Sequence, residues 1–247
     1  MEFFIVIIFI VFCLLLIFKS SVKNNKHVYF NYNNHKQEII ESVTSLKRGT
    51  WSERDLVCEL LQHNFPAGAI FHDLYLKTHS GNTTQIDLVL ATRVGLIVFE
   101  VKDYTGWIFG KGNQQKWTQS LFDKYNYEKH TFRFYNPVLQ NKRHIEELRK
   151  QSSQFAKIPI YSVIVFYGDC ELRDISFIPK DTFVTKARRV IEVIQAITSE
   201  NKPANYTDKY EIVRILKRAV ANGDDIMARK QHASDVRDMI GTDRVFG

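Results

Sequence analysis

The chain has 247 residues and a formal net charge of +7, with 45% hydrophobic and 25% charged residues. This composition is typical of a globular protein and excludes a disordered or fibrous chain. The three cysteines lie far apart and form neither a CxxC pair nor a Cys/His zinc pattern. That excludes a disulfide framework and favours a reducing compartment. The positive charge favours a polyanionic partner, either nucleic acid or an anionic lipid surface.

The first predicted element is an uncharged apolar run over Phe3–Phe18. As a helix it would be about 24 Å long, near the short end for a bilayer span. No basic residue precedes the run and no A-x-A-like cleavage site follows it, so a retained membrane anchor is favoured over a signal peptide. Lysines follow the run, and the positive-inside rule places the remaining chain in the cytoplasm as part of a single-pass membrane protein. Residues 19–45 are predicted to form a juxtamembrane linker.

The rest of the chain alternates between helical and strand patterns. The predicted helices begin at Thr50, Asn136, Lys186 and Asp208, and the predicted strands cover 69–76, 84–91, 95–102, 106–110, 116–121 and 158–167, with one or two more in 175–184. The predicted order is a helix, a three-stranded meander, a crossover helix and another strand. This order predicts an α/β fold with a mixed sheet flanked by helices on both faces. Residues 167–247 are predicted to be a C-terminal strand and helical extension.

Three ionisable residues interrupt two of the apolar strand patterns. Asp87 lies inside one, and Glu100 and Lys102 end the next. Alternate side chains of a strand share a face, so Glu100 and Lys102 are predicted to lie side by side, and Asp87 joins them if the strands pair. Buried charges are costly unless they are paired or bind a metal. A structural ion pair between Asp87 and Lys102 is the alternative, but the flanking motifs favour a metal-dependent hydrolytic site.

The residue types in this cluster suit phosphodiester chemistry. Mg²⁺, with Mn²⁺ as a substitute, takes oxygen ligands, and Asp87, Glu100 and the backbone carbonyl of Val101 are the predicted donors. Lys102 is predicted to orient or deprotonate a water molecule, or to offset charge in the transition state. Neighbouring carboxylates favour the protonated lysine, which favours the electrostatic role over the general base.

The order of these residues resembles the PD-(D/E)XK nuclease superfamily and, more narrowly, the nuclease-related domain family, NERD. The matching stretches are GTWSERDL (49–56), TQIDLVLATRVGLIVFEVKDYTGWIFG (84–110), a tryptophan at 117 and NPVLQNKRHIEEL (136–148). The resemblance covers about residues 46–166. It implies a restriction-endonuclease-like core with a divalent-metal site that cuts DNA, with RNA as the alternative. By position, Asp87, Glu100 and Lys102 match the family's catalytic residues.

Two helical residues match the family in part. Glu53 matches its acidic residue in the first helix, although this chain has a serine where the family usually has a glycine. A capping box, with Glu53 bonded to the backbone N–H of Thr50, is the alternative role. Gln140 matches a helical glutamine that related nucleases place near the metal, and an ordinary helix-surface position is the alternative. Lys142 and Arg143 follow on the same helix and are predicted to contact phosphates, unless they form a solvated charged face.

Other polar and aromatic residues are less informative. The histidines, including His72 and His144, form no zinc pattern, and His72 is interpreted as an ordinary strand residue. Aromatic residues at 104, 107, 117 and 127 are interleaved with lysines, as in base-stacking surfaces, but packing in or beside the sheet is the favoured interpretation.

Two functions of different classes follow from these patterns. The first is a membrane-anchored, Mg²⁺-dependent nuclease that hydrolyses phosphodiester bonds, with DNA as the favoured substrate. The alternative is a catalytically silent module that keeps the nuclease fold and binds nucleic acid or a protein partner at the membrane. In a third interpretation the basic charge serves anionic lipid. Metal binding that requires Asp87 and Glu100 favours the enzyme.

Overall fold

The computed structural model describes residues 36–78, 81–123 and 127–224. The predicted membrane anchor over 3–18 and most of the predicted linker over 19–45 lie outside these residues. Within the described ranges, no helix has the length and apolar character that crossing a bilayer requires.

Nine strands and six helices make up the described part of the chain. The strands are β1 (Ile70–Lys77), β2 (Thr83–Thr92), β3 (Gly95–Asp103), β4 (Gly106–Lys111), β5 (Lys116–Asp123), β6 (Glu128–Tyr135), β7 (Ile160–Tyr167), β8 (Cys170–Ser176) and β9 (Thr182–Lys186). The helices are α1 (residues 36–41), α2 (Trp51–Gln62), α3 (Pro137–Lys150), α4 (Ser153–Ala156), α5 (Val190–Glu200) and α6 (Lys209–Asn222).

The strands form two mixed sheets, where the sequence predicted one. The first sheet has the order β1-β2-β3-β7-β9, with an antiparallel meander over β1–β3 and parallel pairing from β3 through β7 to β9. The second sheet has the order β6-β5-β4-β8. The chain passes from the first sheet to the second at Gly106, whose φ is +76°. A Cβ there would lie 2.4 Å from the carbonyl oxygen of Ser120, so this crossing requires glycine.

Helices cover both faces of the first sheet, as the sequence predicts. One core packs α2 and α5 against the face that carries Phe99 and Val163. The other packs α3 and α6 against the face that carries Val98 and Val89. Each large apolar side chain buried in these cores contributes about 1.5–3 kcal/mol. Both cores contain residues of β3, so the strand that carries Glu100 and Lys102 is held from both sides.

A third core joins the two sheets. Trp117 is 1% exposed and its ring stacks on Phe166 of β7, with centroids 6.1 Å apart and planes 2° from parallel. Its indole N–H donates to the carbonyl oxygen of Lys111 at 3.0 Å. Trp117 therefore packs inside the protein and is not an exposed stacking surface.

The chain beyond residue 167 contributes to both sheets, because β8 pairs with β4 and β9 pairs with β7. Three elements have no counterpart in the sequence prediction: α4, β6 and helix α1, which lies within the predicted linker over 19–45. The β6 sequence EKHTFRFY is exposed over its first six residues, so it lacks the apolar alternation that marks a half-buried strand. Its strand conformation depends on pairing with β5.

Candidate functional site

The predicted residues meet at a fork between β2 and β3. The hydrogen-bonded ladder between these strands ends at the pair formed by Leu88 and Phe99. Asp87 and Glu100 occupy the next position, where the ladder has stopped. Oδ2 of Asp87 then accepts a hydrogen bond from the backbone N–H of Val101 at 2.8 Å. A side-chain oxygen thus replaces the backbone acceptor that a continued ladder would supply.

Strand β1, the other neighbour of β2, is irregular opposite Asp87. The β1–β2 pairing runs from His72–Leu88 to Leu74–Ile86 and skips the position between, where Asp73 has a φ of +57°. Gln85 of β2 donates to Oδ1 of Asp73 at 2.7 Å. The regular pairing of β2 with both β1 and β3 is therefore interrupted around Asp87. The half-buried carboxylate of Asp87 lies where the strands separate.

Glu100 and Lys102 lie side by side on β3, as strand alternation predicts. Nζ of Lys102 is 2.6 Å from Oε1 of Glu100. Helix α3 adds two side chains one turn apart: Oε1 of Gln140 accepts from Nζ of Lys102 at 3.2 Å, and Nε2 of His144 lies 3.3 Å from Oε2 of Glu100. Residues four apart share a helix face, so one face of α3 contacts both charges. Thr84 holds the other ring nitrogen of His144 at 3.0 Å.

Glu53 approaches from the first turn of α2. The hydroxyl of Thr50, which caps this helix, donates to Oε1 of Glu53 at 2.8 Å and accepts from its backbone N–H at 3.3 Å. Oε2 of Glu53 faces Nε2 of His72 at 3.4 Å. A Cβ at Gly49, whose φ is +62°, would lie 2.5 Å from that oxygen, so the loop before α2 packs closely on this pair. Glu53 therefore bonds the capping hydroxyl of Thr50 and also lies near the candidate site.

Burial and mutual repulsion act on the carboxylates. Burial raises the pKa of Asp87 well above its ordinary value, and the charges of Glu100 and Glu53 raise this pKa further. Burial also opposes ionisation of Glu100, but Lys102 and His144 outweigh it and lower the pKa of Glu100. For Lys102 the effect of burial is outweighed by Glu100 and Asp87, so the pKa of Lys102 is raised and the ammonium form persists at neutral pH.

The donor atoms suit a hard divalent cation. Oε2 of Glu53 and Oε2 of Glu100 are buried and have no hydrogen-bond partner among the described residues. The N–H and C=O of one strand residue point to the same side, so the carbonyl of Val101 also faces the opened edge toward Asp87. Such oxygens are the ligands that Mg²⁺ takes, often only one or two carboxylates with water. Across the described ranges, no group of three or more His, Cys, Asp or Glu side chains is arranged to hold a metal ion, so a cation here would take part of its ligands from water or a backbone carbonyl.

The two predicted phosphate-binding residues lie on α3, and Lys142 is on the side of the helix opposite Gln140 and His144. Lys142 is exposed and pairs with Glu146 at 3.8 Å. The guanidinium of Arg143 lies 5.1 Å from the ring centroid of Tyr135 at the end of β6. Sequence reasoning missed the proximity of His72 and His144 to the carboxylates. The signal for His144 was its spacing of four residues from Gln140 on a helix.

Comparison with known proteins gives two matches. A family model described as the nuclease-related domain matches residues 48–167. An uncharacterized protein of Bacillus anthracis is 30% identical over 129 residues, which cover 52% of this chain and 57% of the relative. The chain therefore spans little more than half the length of that relative. No solved structure matches significantly.

Proposed function

We propose that this chain, which carries a nuclease-related domain (NERD) of the PD-(D/E)XK-like nuclease superfamily over residues 48–167, is a divalent-metal-dependent nuclease. Its substrate is a nucleic acid whose phosphodiester bonds it hydrolyses, and DNA is the favoured substrate. The observation that carries the proposal is the fork at Asp87, where Glu100 and Lys102 lie side by side on β3 and the carboxylate of Asp87 accepts from the backbone N–H of Val101. The carboxylates of Asp87, Glu100 and Glu53 and the ammonium of Lys102 lie close together at this interrupted strand edge. Their burial costs folding stability, and a metal-binding function explains why they are placed there.

Each residue has a defined task in this proposal. Asp87, Glu100 and the carbonyl of Val101 hold Mg²⁺ or Mn²⁺, and Glu53 adds negative charge nearby. The bound cation supplies charge neutralisation at the phosphate and a water molecule of lowered pKa. Because Lys102 stays protonated, it stabilises negative charge that develops on the phosphate and does not abstract a proton. Gln140 accepts from Lys102 and so orients the ammonium.

The purified full-length chain is expected to cleave DNA in Mg²⁺ or Mn²⁺ and to stop in chelator. Glu100→Gln removes a ligand charge and the partner of Lys102, so cleavage is expected to fall at least about 100-fold. The matched control is Glu146→Gln, an exposed glutamate of α3 that pairs with Lys142. Calorimetry is expected to show Mg²⁺ binding by the wild type and by the control, and much weaker binding by Glu100→Gln.

Cleavage that continues in chelator, or that survives in Glu100→Gln, contradicts the proposed site. Nucleic-acid binding that needs no metal and leads to no cleavage by the wild type would instead support a catalytically silent module.

We further propose that the apolar run over residues 3–18 anchors the protein in a membrane, with the nuclease-related domain in the cytoplasm. The support is the run's length and the lysines that follow it. The full-length chain is expected to stay in the membrane fraction after alkaline carbonate washing. A chain that begins at residue 19 is expected to be released, and equal behaviour of the two chains would contradict the anchor.

A further inference from the structure

The second sheet has one face that combines exposed aromatic rings with cations. Trp107 pairs with Ser120 and Phe122 pairs with Lys129, so both aromatic side chains lie on the same face of neighbouring strands. Trp107 is 47% exposed and Phe122 is 59% exposed. Their positions alternate along β4 and β5 with residues of the third core, such as Trp117. This face is therefore the outward one.

Two exposed cations lie further along the same face, and a third cation, Arg173, lies against Trp107 and is paired with Glu171. Lys116 and Arg133 are exposed on the same outward face, because Lys116 pairs with Tyr135 and Arg133 pairs with Thr118. They line a surface depression of about 420 Å³ together with Gln114, Gln115 and Thr118. The guanidinium of Arg173 lies 5.3 Å from the ring centroid of Trp107. Neither Lys116 nor Arg133 forms an ion pair within the described residues.

The second sheet approaches the candidate site at two points. Only two residues separate β3 from β4, and Trp107 is five residues after Lys102, so their Cα atoms are at most about 18 Å apart. At the other point Arg143 of α3 packs on Tyr135 of this face. Arg143 is three residues after Gln140 and shares its side of the helix.

The inner face of the second sheet packs beside Lys102, because Trp117 stacks on Phe166, the β7 partner of Lys102. A single strand bound on the outward face therefore reaches Lys102 by passing around the edge of the second sheet near Tyr135 and Arg143.

We propose that this outward face is a platform for single-stranded nucleic acid, the substrate class of the site described above; the proposal rests on the proposed nuclease function. We define the platform as Trp107, Phe122, Lys116 and Arg133. Exposed aromatic rings stack on bases that are free of a partner strand, whereas the bases of a duplex are already stacked and paired. The cations hold the phosphates in either case. Rings and cations together therefore favour unpaired over paired strands.

The test measures binding in chelator, where cleavage does not interfere. The probes are fluorescein-labelled oligothymidylate and oligouridylate of about 20 nucleotides, longer than the site of one such domain, and a duplex of equal length. We expect the full-length chain to bind a single strand at least about tenfold more tightly than the duplex. Trp107→Ala is expected to weaken single-strand binding about tenfold and to leave duplex binding nearly unchanged. Comparison of the two single strands identifies DNA or RNA as the ligand.

The matched control is Tyr210→Ala, because Tyr210 is 78% exposed on α6, outside the platform, and lies near Lys209. A second variant, Arg133→Ala, changes an exposed cation and is expected to reduce the salt dependence of binding by about one ion. Single-strand binding that survives both variants, or that falls no more in Trp107→Ala than in Tyr210→Ala, overturns the platform.

The platform and the nuclease site can fail separately. The wild type in chelator is expected to bind the single strand without cleaving it, because the platform lies outside the proposed metal site. Normal binding together with no cleavage in Mg²⁺ or Mn²⁺ supports the platform and contradicts the proposed function. Cleavage with no preference for single strands, and with no effect of Trp107→Ala on binding, does the reverse.

Discussion

Replacing Asp87 by asparagine is expected to abolish cleavage and, in the same protein, to raise the melting temperature of the metal-free form. The carboxylate is close enough to Glu100 and Glu53 for their charges to raise its pKa. Asparagine removes one of three mutually repelling charges and keeps a side-chain oxygen that accepts from the N–H of Val101. We expect a gain of about 0.5–2 kcal/mol, the usual range of a single stabilising substitution.

The gain is expected to depend on pH in a defined direction. Because the pKa of Asp87 is raised from 3.8 in the folded chain, the folded state binds a proton that the unfolded state has released above that pH. Wild-type stability therefore loses this contribution as the pH rises from about 3.8 through the raised pKa. The asparagine variant has no such group, so its advantage over the wild type grows with pH. Thermal unfolding across a pH series, in chelator, measures this difference.

Asp103→Asn provides the control, because Asp103 is an exposed aspartate at the end of the same strand as Glu100. It is expected to leave the pH-dependent part of stability as in the wild type. Mg²⁺ is expected to raise the melting temperature of the wild type and of Asp103→Asn, since a ligand stabilises the state that binds it. An Asp87→Asn chain that still cleaves DNA, or that melts below the wild type at neutral pH, would contradict the assignment.

Replacing Arg48 by alanine is expected to destabilise the fold by about 3–5 kcal/mol, the cost of breaking a buried ion pair. The Arg48 side chain is 8% exposed, and its Nε lies 3.0 Å from Oδ2 of Asp73, which is 3% exposed. A second nitrogen of Arg48 donates to the carbonyl oxygen of Asp73 at 2.5 Å, and a third lies 3.2 Å from Asp224 after α6. Without the arginine, Asp73 keeps a buried charge with one amide donor, Gln85.

Urea unfolding measures this effect as a lower midpoint at an unchanged slope. The comparison is Arg189→Ala, where the arginine–glutamate pair with Glu192 is 65% and 62% exposed. That surface pair is expected to contribute less than about 1 kcal/mol. Equal losses for the two variants would show that Arg48 stabilises no more than a surface charge does. Because Asp73 has its positive φ opposite Asp87, loss of Arg48 is also expected to disturb the fork.

Local features predicted much of the fold. Thr50, Asn136 and Asp208 each accept a hydrogen bond from a backbone N–H of the helix that follows, as their side chains predict. The apolar runs of β2, β3 and β7 predicted their strands, because a buried strand needs a continuous apolar surface. These signals are contained within a few consecutive residues, and so one sequence is sufficient to read them.

The division of the strands between two sheets was not predictable in the same way. The residues of β6 are mostly polar and exposed, and they adopt a strand conformation by pairing with β5. Strand β8 pairs with β4 across about 60 residues of chain. Such pairing depends on the energy of contacts between distant segments, which no local pattern records. The same is true of the platform, whose rings and cations come from three strands.

At the candidate site, strand alternation and the cost of burying charge are local rules, and they predicted that Glu100 and Lys102 share a face and that Asp87 is a charge in an apolar strand. The contacts of His144 with Glu100 and of His72 with Glu53, and the separation of β2 from β3 at Asp87, became visible in the folded chain. These contacts join segments that are distant in sequence: α3 with β3, and α2 with β1. Their geometry exists only after the helices have packed on the sheet.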